Sequence, residues 1–357
     1  MNTFGEKIKI SIFGQSHAQA IGVTIEGLPS GFEIDTDRVQ KFLDRRAPGK
    51  NQFSTQRKEA DAVEYLSGLV DKKTCGAPLT AVIFNKDQHS KDYSELREKM
   101  RPSHADYPAN VKFGDSYDVR GGGQFSGRMT APLCIAGAIL IQLLEEKGIY
   151  IGAHISSIGN VKDKQFDNTS FDTDMLKSAS EKDFPVLCDD AGEEMKRLIL
   201  LAKENLDSIG GTIECMAVGV PAGVGEPMFC GLENVIAQSV FAIPAVKGIE
   251  FGLGFESSCL FGSQNNDEYY FDENSDVKTK TNNAGGICGG LATGMPISFR
   301  VAMKPTPSIA KPQNTINLRT KENDVLEIQG RHDPCIVQRA VPCIEAAMAL
   351  AISQFVL

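Results

Sequence analysis

A chain of 357 residues with 41% hydrophobic and 23% charged residues has room and composition for a large globular core, which excludes disordered, collagen-like and mucin-like classes. Lys+Arg 37 against Asp+Glu 46 leaves a net charge of -9, which argues against a general nucleic-acid backbone binder and against a protein held on anionic membranes. Any anion bound here must therefore be met by basic groups gathered locally.

The first residues carry no basic segment followed by a long apolar one, so no secretory signal is expected. Ile8, Ile10 and Ile12 alternate with Lys7, Lys9 and Ser11, the pattern of a half-buried strand running into Phe13-Gly-Gln-Ser-His17. Asp35 or Asp37 can cap a helix carrying Val39, Phe42 and Leu43 on one face, with Arg45 and Arg46 in its last turn and Pro48-Gly49 as its stop. Strands are expected over residues 80–84, 149–156, 212–220 and 297–303, and helices over 130–147, 192–207 and 338–355. The apolar run 131–144 is shorter than the ~20 residues that span a bilayer and contains Pro132 and Gln142, so it is expected as a buried helix. Two polar stretches, 264–283 and 311–329, read as irregular loops that act as lids. Strands and helices mix without a regular βαβ beat, so the expected fold class is α+β.

One internal echo bears on architecture. Residues 23–31 followed by 38–46 resemble residues 216–223 followed by 234–242, each reading as strand, glycine-proline turn, helix. Two related halves could then sandwich helices between sheets. Nine cysteines stand singly, with no C-x-x-C pair, and suggest reduced thiols in a cytoplasmic protein.

The chemistry-bearing residues cluster in turn-rich motifs. His17 and His104, the latter in Arg101-Pro-Ser-His-Ala-Asp106, are expected partly exposed at the edge of a site, where imidazole moves protons near neutral pH. Each could equally be a hydrogen-bonded loop histidine. His89 and His154 carry no motif and read as structural, and no metal-ligand spacing accompanies any histidine. Arg120-Gly-Gly-Gly-Gln-Phe-Ser-Gly-Arg128 precedes a helix and offers close backbone approach and cations to an anion, phosphate or nucleotide. Gly285–Gly290 and Lys304-Pro-Thr-Pro-Ser308 are further candidates, with tight turns as the plain alternative. Arg45, Arg46, Arg57, Arg101, Arg120, Arg128, Arg331 and Arg339 all fall in or beside such motifs, which suggests a cationic pocket for a small polyanion. Asp333, in Arg331-His-Asp-Pro334, suits a base kept ionised by neighbouring cations, or a cap for the last helix.

In order, F-G-Q-S-H, L-D-R-R-x-P-G, T-Q-R-K-E, L-S-G, R-P-S-H-A-D-Y, R-G-G-G-Q-F-S-G-R-M-T-A, A-V-K-G-I-E-F-G, N-N-A-G-G-I-C-G-G, M-K-P-T-P-S-I and G-R-H-D-P-C-x-x-x-R-A-V-P closely resemble the chorismate synthase family over nearly the whole chain. The resemblance implies a single domain over 1–357 with a β-α-β sandwich fold, assembled as a homotetramer. It implies a shikimate-pathway lyase that makes chorismate from 5-enolpyruvylshikimate 3-phosphate by 1,4-anti elimination of phosphate. Reduced FMN (FMNH2) is the implied cofactor, with NADPH a candidate reductant, and neither nucleic acid nor membrane is an expected partner. By the same resemblance His104 is the acid for the departing phosphate, His17 protonates reduced flavin, and Asp333 works with flavin N5. Arg46, Arg101, Arg128 and Arg331 match substrate-binding positions. Gln124, Phe125, Ser126, Ala245, Gly289, Lys304, Pro305, Thr306, Pro307, Ser308 and Arg331 match flavin-contacting positions. Gln15, Ala18, Ala47, Gln52, Ser103 and Gln124 depart from the family pattern, which puts in question substrate affinity and any pyridine-nucleotide site. Two rival readings stay open: a phosphotransferase with His104 as nucleophile, and a non-enzymatic FMN sensor.

Overall fold

A computed structural model describes residues 2–49, 61–85, 97–328 and 333–357. The first half holds β1 (Thr3–Phe4), β2 (Lys9–Gly14), β3 (Ala20–Glu26), α1 (Thr36–Arg46), β4 (Glu64–Ser67), a small ribbon of β5 (Leu69–Val70) and β6 (Lys73–Thr74), and β7 (Leu79–Phe84). Their antiparallel sheet runs β1-β2-β3-β7-β4. After α2 (Asp106–Phe113) and a series of 3-10 turns, α3 (Thr130–Glu146) leads into the second half. That half contains β8 (Tyr150–Ile158), β9 (Val161–Lys162), α4 (Thr173–Glu181), α5 (Asp189–Glu204), β10 (Gly211–Val218), α6 (Leu232–Phe241) and β11 (Val246–Phe251). It continues through α7 (Gly262–Asn265), β12 (Tyr269–Phe271), β13 (Val277–Thr279), β14 (Ile287–Cys288), β15 (Leu291–Ala292), β16 (Ile297–Met303), β17 (Gln313–Asn317), β18 (Glu322–Leu326) and α8 (Val337–Val356). The second sheet, also antiparallel, runs β11-β16-β10-β8-β9.

Helices fill the space between the sheets. α3 touches β2, β3 and β7 of the first sheet and β8 of the second, while α8 lies on β8 and β10 and packs against α1, α3 and α6. The alternation of β10 explains the layering: Ile213, Cys215 and Ala217 face the helices, whereas Met216 and Val218 pack outward with Phe166 and Leu176. Because α3 and α8 are covered on nearly all sides, they are apolar nearly all round. Segments Gly127–Glu146 and Val337–Val356 are long and apolar enough to cross a membrane, yet 78% of the 18-residue apolar window in each lies buried in the fold. Buried Ile135, Ile139, Leu140 and Leu144 on α3 each contribute about 1.5–3 kcal/mol by leaving water.

The β-α-β sandwich and its two related halves follow the expectation. β3 and β10, the strands of the sequence echo, are each the middle strand of a five-stranded sheet, and each leads through a glycine turn to a helix, α1 or α6. Asp35 caps α1, its side chain accepting from the amides of Asp37 and Arg38 at 3.0 Å.

Both stretches expected to be irregular contain β-hairpins instead. Within 264–283, β12 pairs with β13, and Asp267 ties down the base by accepting from the amides of Asn283 (2.7 Å) and Ala284 (3.0 Å) and the Thr281 hydroxyl (2.6 Å). Within 311–329, β17 pairs with β18; only Gln329 of that stretch lies outside the described residues. Cross-strand pairing orders polar sequence that composition alone assigns to loops.

Candidate active site

A cavity of ≈ 590 Å³ opens where the helix layer meets the loops after β2, α1 and β16, and its walls come from both halves of the chain. It is lined by Arg46, Arg101, His104, Gln124, Phe125, Ser126, Arg128, Ala245, Lys304, Thr306, Pro307, Ser308, Asp333 and Arg339, among others. Most of the residues proposed from sequence therefore converge on one space.

The triple-glycine turn organises the two histidines. Gly121, Gly122 and Gly123 have φ of 58°, 84° and 55°, a region that favours glycine. A Cβ on Gly121 would sit 2.5 Å from His17 Cε1, and one on Gly122 would sit 3.4 Å from His104 Nε2. These glycines pass the backbone between the imidazoles, while Gln124, Phe125, Ser126 and Arg128 of the same motif line the cavity. His17 is only 8% exposed, which corrects its expected exposure: it packs against Gly121, and the wall residue beside it is Ser16.

His104 is held by a buried carboxylate. Its Nδ1 lies 2.7 Å from Asp106 Oδ1, and Arg101 donates to the same carboxylate through Nε at 2.7 Å and Nη2 at 2.8 Å. Burial works against ionisation of Asp106, but hydrogen bonds from Arg101 and His104 hold its carboxyl far below the usual range. An ionised Asp106 can only accept, so His104 donates from Nδ1, which fixes the orientation of the ring and of Nε2. The hairpin β17–β18 braces this loop: Met100 N donates to Ile316 O at 3.3 Å, and the Thr315 hydroxyl donates to Met100 O.

The candidate arginines among the described residues are each engaged by protein. Asp61, fully buried, accepts from Arg46 and from Arg128 Nη1 at 2.9 Å. Its carboxyl is disfavoured by burial yet held below the ordinary range by these two guanidinium groups. Arg128 Nε also donates to Asn85 Oδ1 at 2.8 Å. Arg101, expected on the substrate, spends two donors on Asp106 and a third on Ser308 Oγ at 3.3 Å. Arg45 forks onto Glu345 at 2.6 and 2.8 Å and Arg120 onto Asp118 at 2.8 Å; neither lines the cavity. Asp333 accepts from Arg339, whose Nε donates to Arg46 O at 2.8 Å. The last helix begins at Val337 with Ile336 as its cap residue, so Asp333 does not cap it.

Gly289 and Pro305 do not line the cavity. Gly289 lies exposed in the turn between β14 and β15, with open space where a Cβ would point. Arg331, along with His332, His89, Gln52 and Arg57, lies outside the described residues. Two departures from the family pattern leave a physical trace. Ser103 adopts φ 60°, a conformation that suits glycine, and its carbonyl accepts from Lys304 Nζ at 2.9 Å. Gln15 donates to Asp118 Oδ2 at 3.1 Å. Ala245 also holds a positive φ, 75°, at the cavity wall, where its carbonyl accepts from Lys304 N at 3.0 Å. Asp61 and Asp106 are the site residues that sequence reasoning left unassigned; Asp106 stood in the quoted motif, while Asp61 carries no local signal.

Among the described residues, five cations and one carboxylate line the walls, with an acid-paired histidine between them, an arrangement suited to an enzyme that acts on a small anion. The family pattern described as chorismate synthase matches residues 8–357. A chorismate synthase of Lancefieldella parvula is 47% identical over 98% of this chain and 95% of its own length. One of Methanocaldococcus jannaschii is 43% identical over 100% of this chain and 96% of its own. A crystal structure of chorismate synthase superposes with a TM-score of 0.76 at 27% identity, covering 99% of this chain and 92% of that one. The chain belongs to the chorismate synthase family.

Proposed function

We propose that the cavity converts 5-enolpyruvylshikimate 3-phosphate to chorismate and phosphate by 1,4-anti elimination, with reduced FMN bound beside the substrate. The observation that carries this reading is the wall charge: among the described residues Arg46, Arg101, Arg128, Lys304 and Arg339 face a space whose one lining carboxylate is Asp333, and with Asp61 and Asp106 behind the wall the cations remain in excess. A phosphate ester bearing carboxylates matches that excess.

The residues present fit a flavin mononucleotide. Phe125, Ile243, Pro244, Ala245 and Met303 give apolar wall for a planar ring system, and Lys304 gives a cation. Thr306 Oγ1 and Arg46 Nε are buried with no hydrogen-bond partner among the described residues, and both residues line the cavity. Such groups are costly unless a ligand meets them. When bound, reduced FMN supplies electron density to the breaking carbon-oxygen bond.

The chain supplies position and protons. The arginines neutralise substrate anions and fix their orientation. His104, turned by Asp106, hands a proton from Nε2 to the departing phosphate. Asp333, steadied by Arg339, accepts the ring proton. His17, packed on Gly121, holds the proton that balances charge on the reduced cofactor. We further propose NADPH as an upstream reductant, a cytoplasmic setting and a homotetrameric assembly.

The test is an anaerobic assay of purified protein with 5-enolpyruvylshikimate 3-phosphate and photoreduced or oxidised FMN, with NADPH alone in a parallel tube. Chorismate should form only with the reduced cofactor or where NADPH regenerates it. Equal formation with oxidised and reduced FMN would overturn the flavin reading. A phosphohistidine on His104 after incubation with substrate would instead favour phosphoryl transfer.

A further inference from the structure

Beneath the arginine wall lies a thiol pair that the proposed reaction does not use. Cys134 on α3 and Cys343 on α8 are buried, and their sulfurs are 3.7 Å apart, with Cys134 donating to Cys343. Helix geometry brings them together. A Cβ on Gly137 would lie 2.2 Å from Ala346 Cβ, so the helices meet at Gly137 and Ala346, and Cys134 and Cys343 sit three residues before that contact on each. Matching order in both helices makes them locally parallel, and the two thiols share one face of the crossing.

The two sulfurs are not equivalent. Cys343 lines the cavity and Cys134 does not. The Cys134 thiol hydrogen bond, together with nearby Arg46 and Arg339 and against the opposing effect of burial, draws the Cys343 thiol below its usual range. Burial and the same contact with Cys343 push Cys134 well above its own. Cys343 is thus the sulfur at the cavity wall, its thiol donating to Arg339 O at 3.6 Å, and Cys134 lies in contact behind it; the thiol drawn lower of the two is the more readily ionised.

We propose that Cys343 is a peroxide-modified residue and Cys134 its resolving partner, so that oxidation of the cavity wall ends in a disulfide joining α3 to α8. The oxidant is hydrogen peroxide. The Cys343 thiolate attacks one peroxide oxygen, forming the S–O bond as the O–O bond breaks. Sulfur loses two electrons, and hydroxide departs and takes a proton from solvent. The sulfur of Cys134 then attacks the sulfenic sulfur, forming the S–S bond while the sulfenic hydroxyl leaves with the thiol proton as water. In sum, two thiols and one peroxide give one disulfide and two waters. The sulfurs must close from 3.7 Å to about 2.05 Å. This assignment is independent of the substrate.

The experiment treats the reduced full-length protein with a few equivalents of hydrogen peroxide, with and without dimedone, and maps unreduced peptides by mass. Expected is a loss of two hydrogens and a cross-linked pair of peptides carrying Cys134 and Cys343, reversed by dithiothreitol. In Cys134→Ala the cross-link should disappear and dimedone should trap Cys343 instead. In Cys343→Ala neither product should form. Since several other cysteines, including Cys75 and Cys230, are exposed, their oxidation serves as an internal dose gauge. A Cys343 that remains a thiol at doses that oxidise Cys75 and Cys230, or that goes to sulfinic acid without linking to Cys134 in the folded wild-type protein, overturns the proposal.

Discussion

At the residue scale, buried carboxylates that position cations decide the site's behaviour. Asp106 serves Arg101 and His104 together, so its effect on kcat should act through His104 and its effect on KM through Arg101. His104→Ala is expected to lower turnover by roughly 10² to 10⁴. Asp106→Asn should also slow the reaction, and the double variant should be no slower than His104→Ala alone, since neighbours that act as a unit are not additive. A further, multiplicative loss in the double variant would show that Asp106 has a separate role. Away from the cavity, His154 lies fully buried between Asp163 (3.1 Å) and Glu214 (2.7 Å), with Phe166 edge-on at 4.5 Å. Burial favours its neutral form, but the hydrogen bonds to both carboxylates outweigh that and raise its pKa, while Asp163 is lowered chiefly by its hydrogen bond from His154 against burial. His154 therefore stabilises the fold fully below about pH 6.5, its unfolded value, and loses that contribution as pH rises through the raised folded value. Asp163 behaves in reverse, contributing above about pH 3.9 and losing its contribution as pH falls through the lowered value. His154→Gln leaves two buried carboxylates without a cation and should cost about 3–5 kcal/mol in mildly acid buffer. Denaturation across pH should show the gap between wild type and variant narrowing toward alkaline pH; a constant gap would remove the charged triad.

At the element scale, the meeting of α3 and α8 sets how closely the helix layer packs. Gly137→Ala would add up to about 1 kcal/mol of helix propensity, but its Cβ would lie 2.2 Å from Ala346 Cβ and 2.5 Å from Ala346 Cα. Overpacking of this kind costs about 1–3 kcal/mol, so the substitution should be destabilising on balance in urea melts. A stabilised variant would mean that the helices separate easily. Most of these elements were legible because they bury one face or both. The strand expected over 297–303 is β16 itself, with Ile297, Phe299, Val301 and Met303 in the core. Hairpins β12–β13 and β17–β18 escaped detection because their polar strands lack the apolar alternation of a buried face and are held by cross-strand partners and by anchors such as Asp267.

At the scale of the whole molecule, the second half carries strongly exposed aromatic side chains: Phe229 at 85%, Phe255 at 83%, Phe261 at 79% and Phe271 at 74%. Large apolar side chains left in water favour burial against another chain, which supports the proposed tetramer. Sedimentation at micromolar concentration should give a species of four chains, and Phe255→Glu with Phe261→Glu should shift it toward smaller ones. A wild-type protein that stays monomeric over the whole accessible concentration range would count against assembly.

The sequence by itself determined the α+β class, the main strands and helices, the echo between halves and the residue types of the site, because periodicity, caps and glycine-proline turns are local signals. His104, Arg46, Arg101, Arg128 and the Lys304–Ser308 segment were visible on that basis, and the structure gathers them around one cavity. Only the tertiary structure decided which cations reach the wall and which are turned aside, since that depends in part on carboxylates brought in by other elements: Glu345 takes Arg45 from 300 residues away, and Asp61 bridges Arg46 and Arg128. It also decided that the glycine turn separates His17 from His104 and that two isolated cysteines face each other across a helix crossing. Spacing along the chain cannot encode these pairings, because each arises where two elements bury against one another.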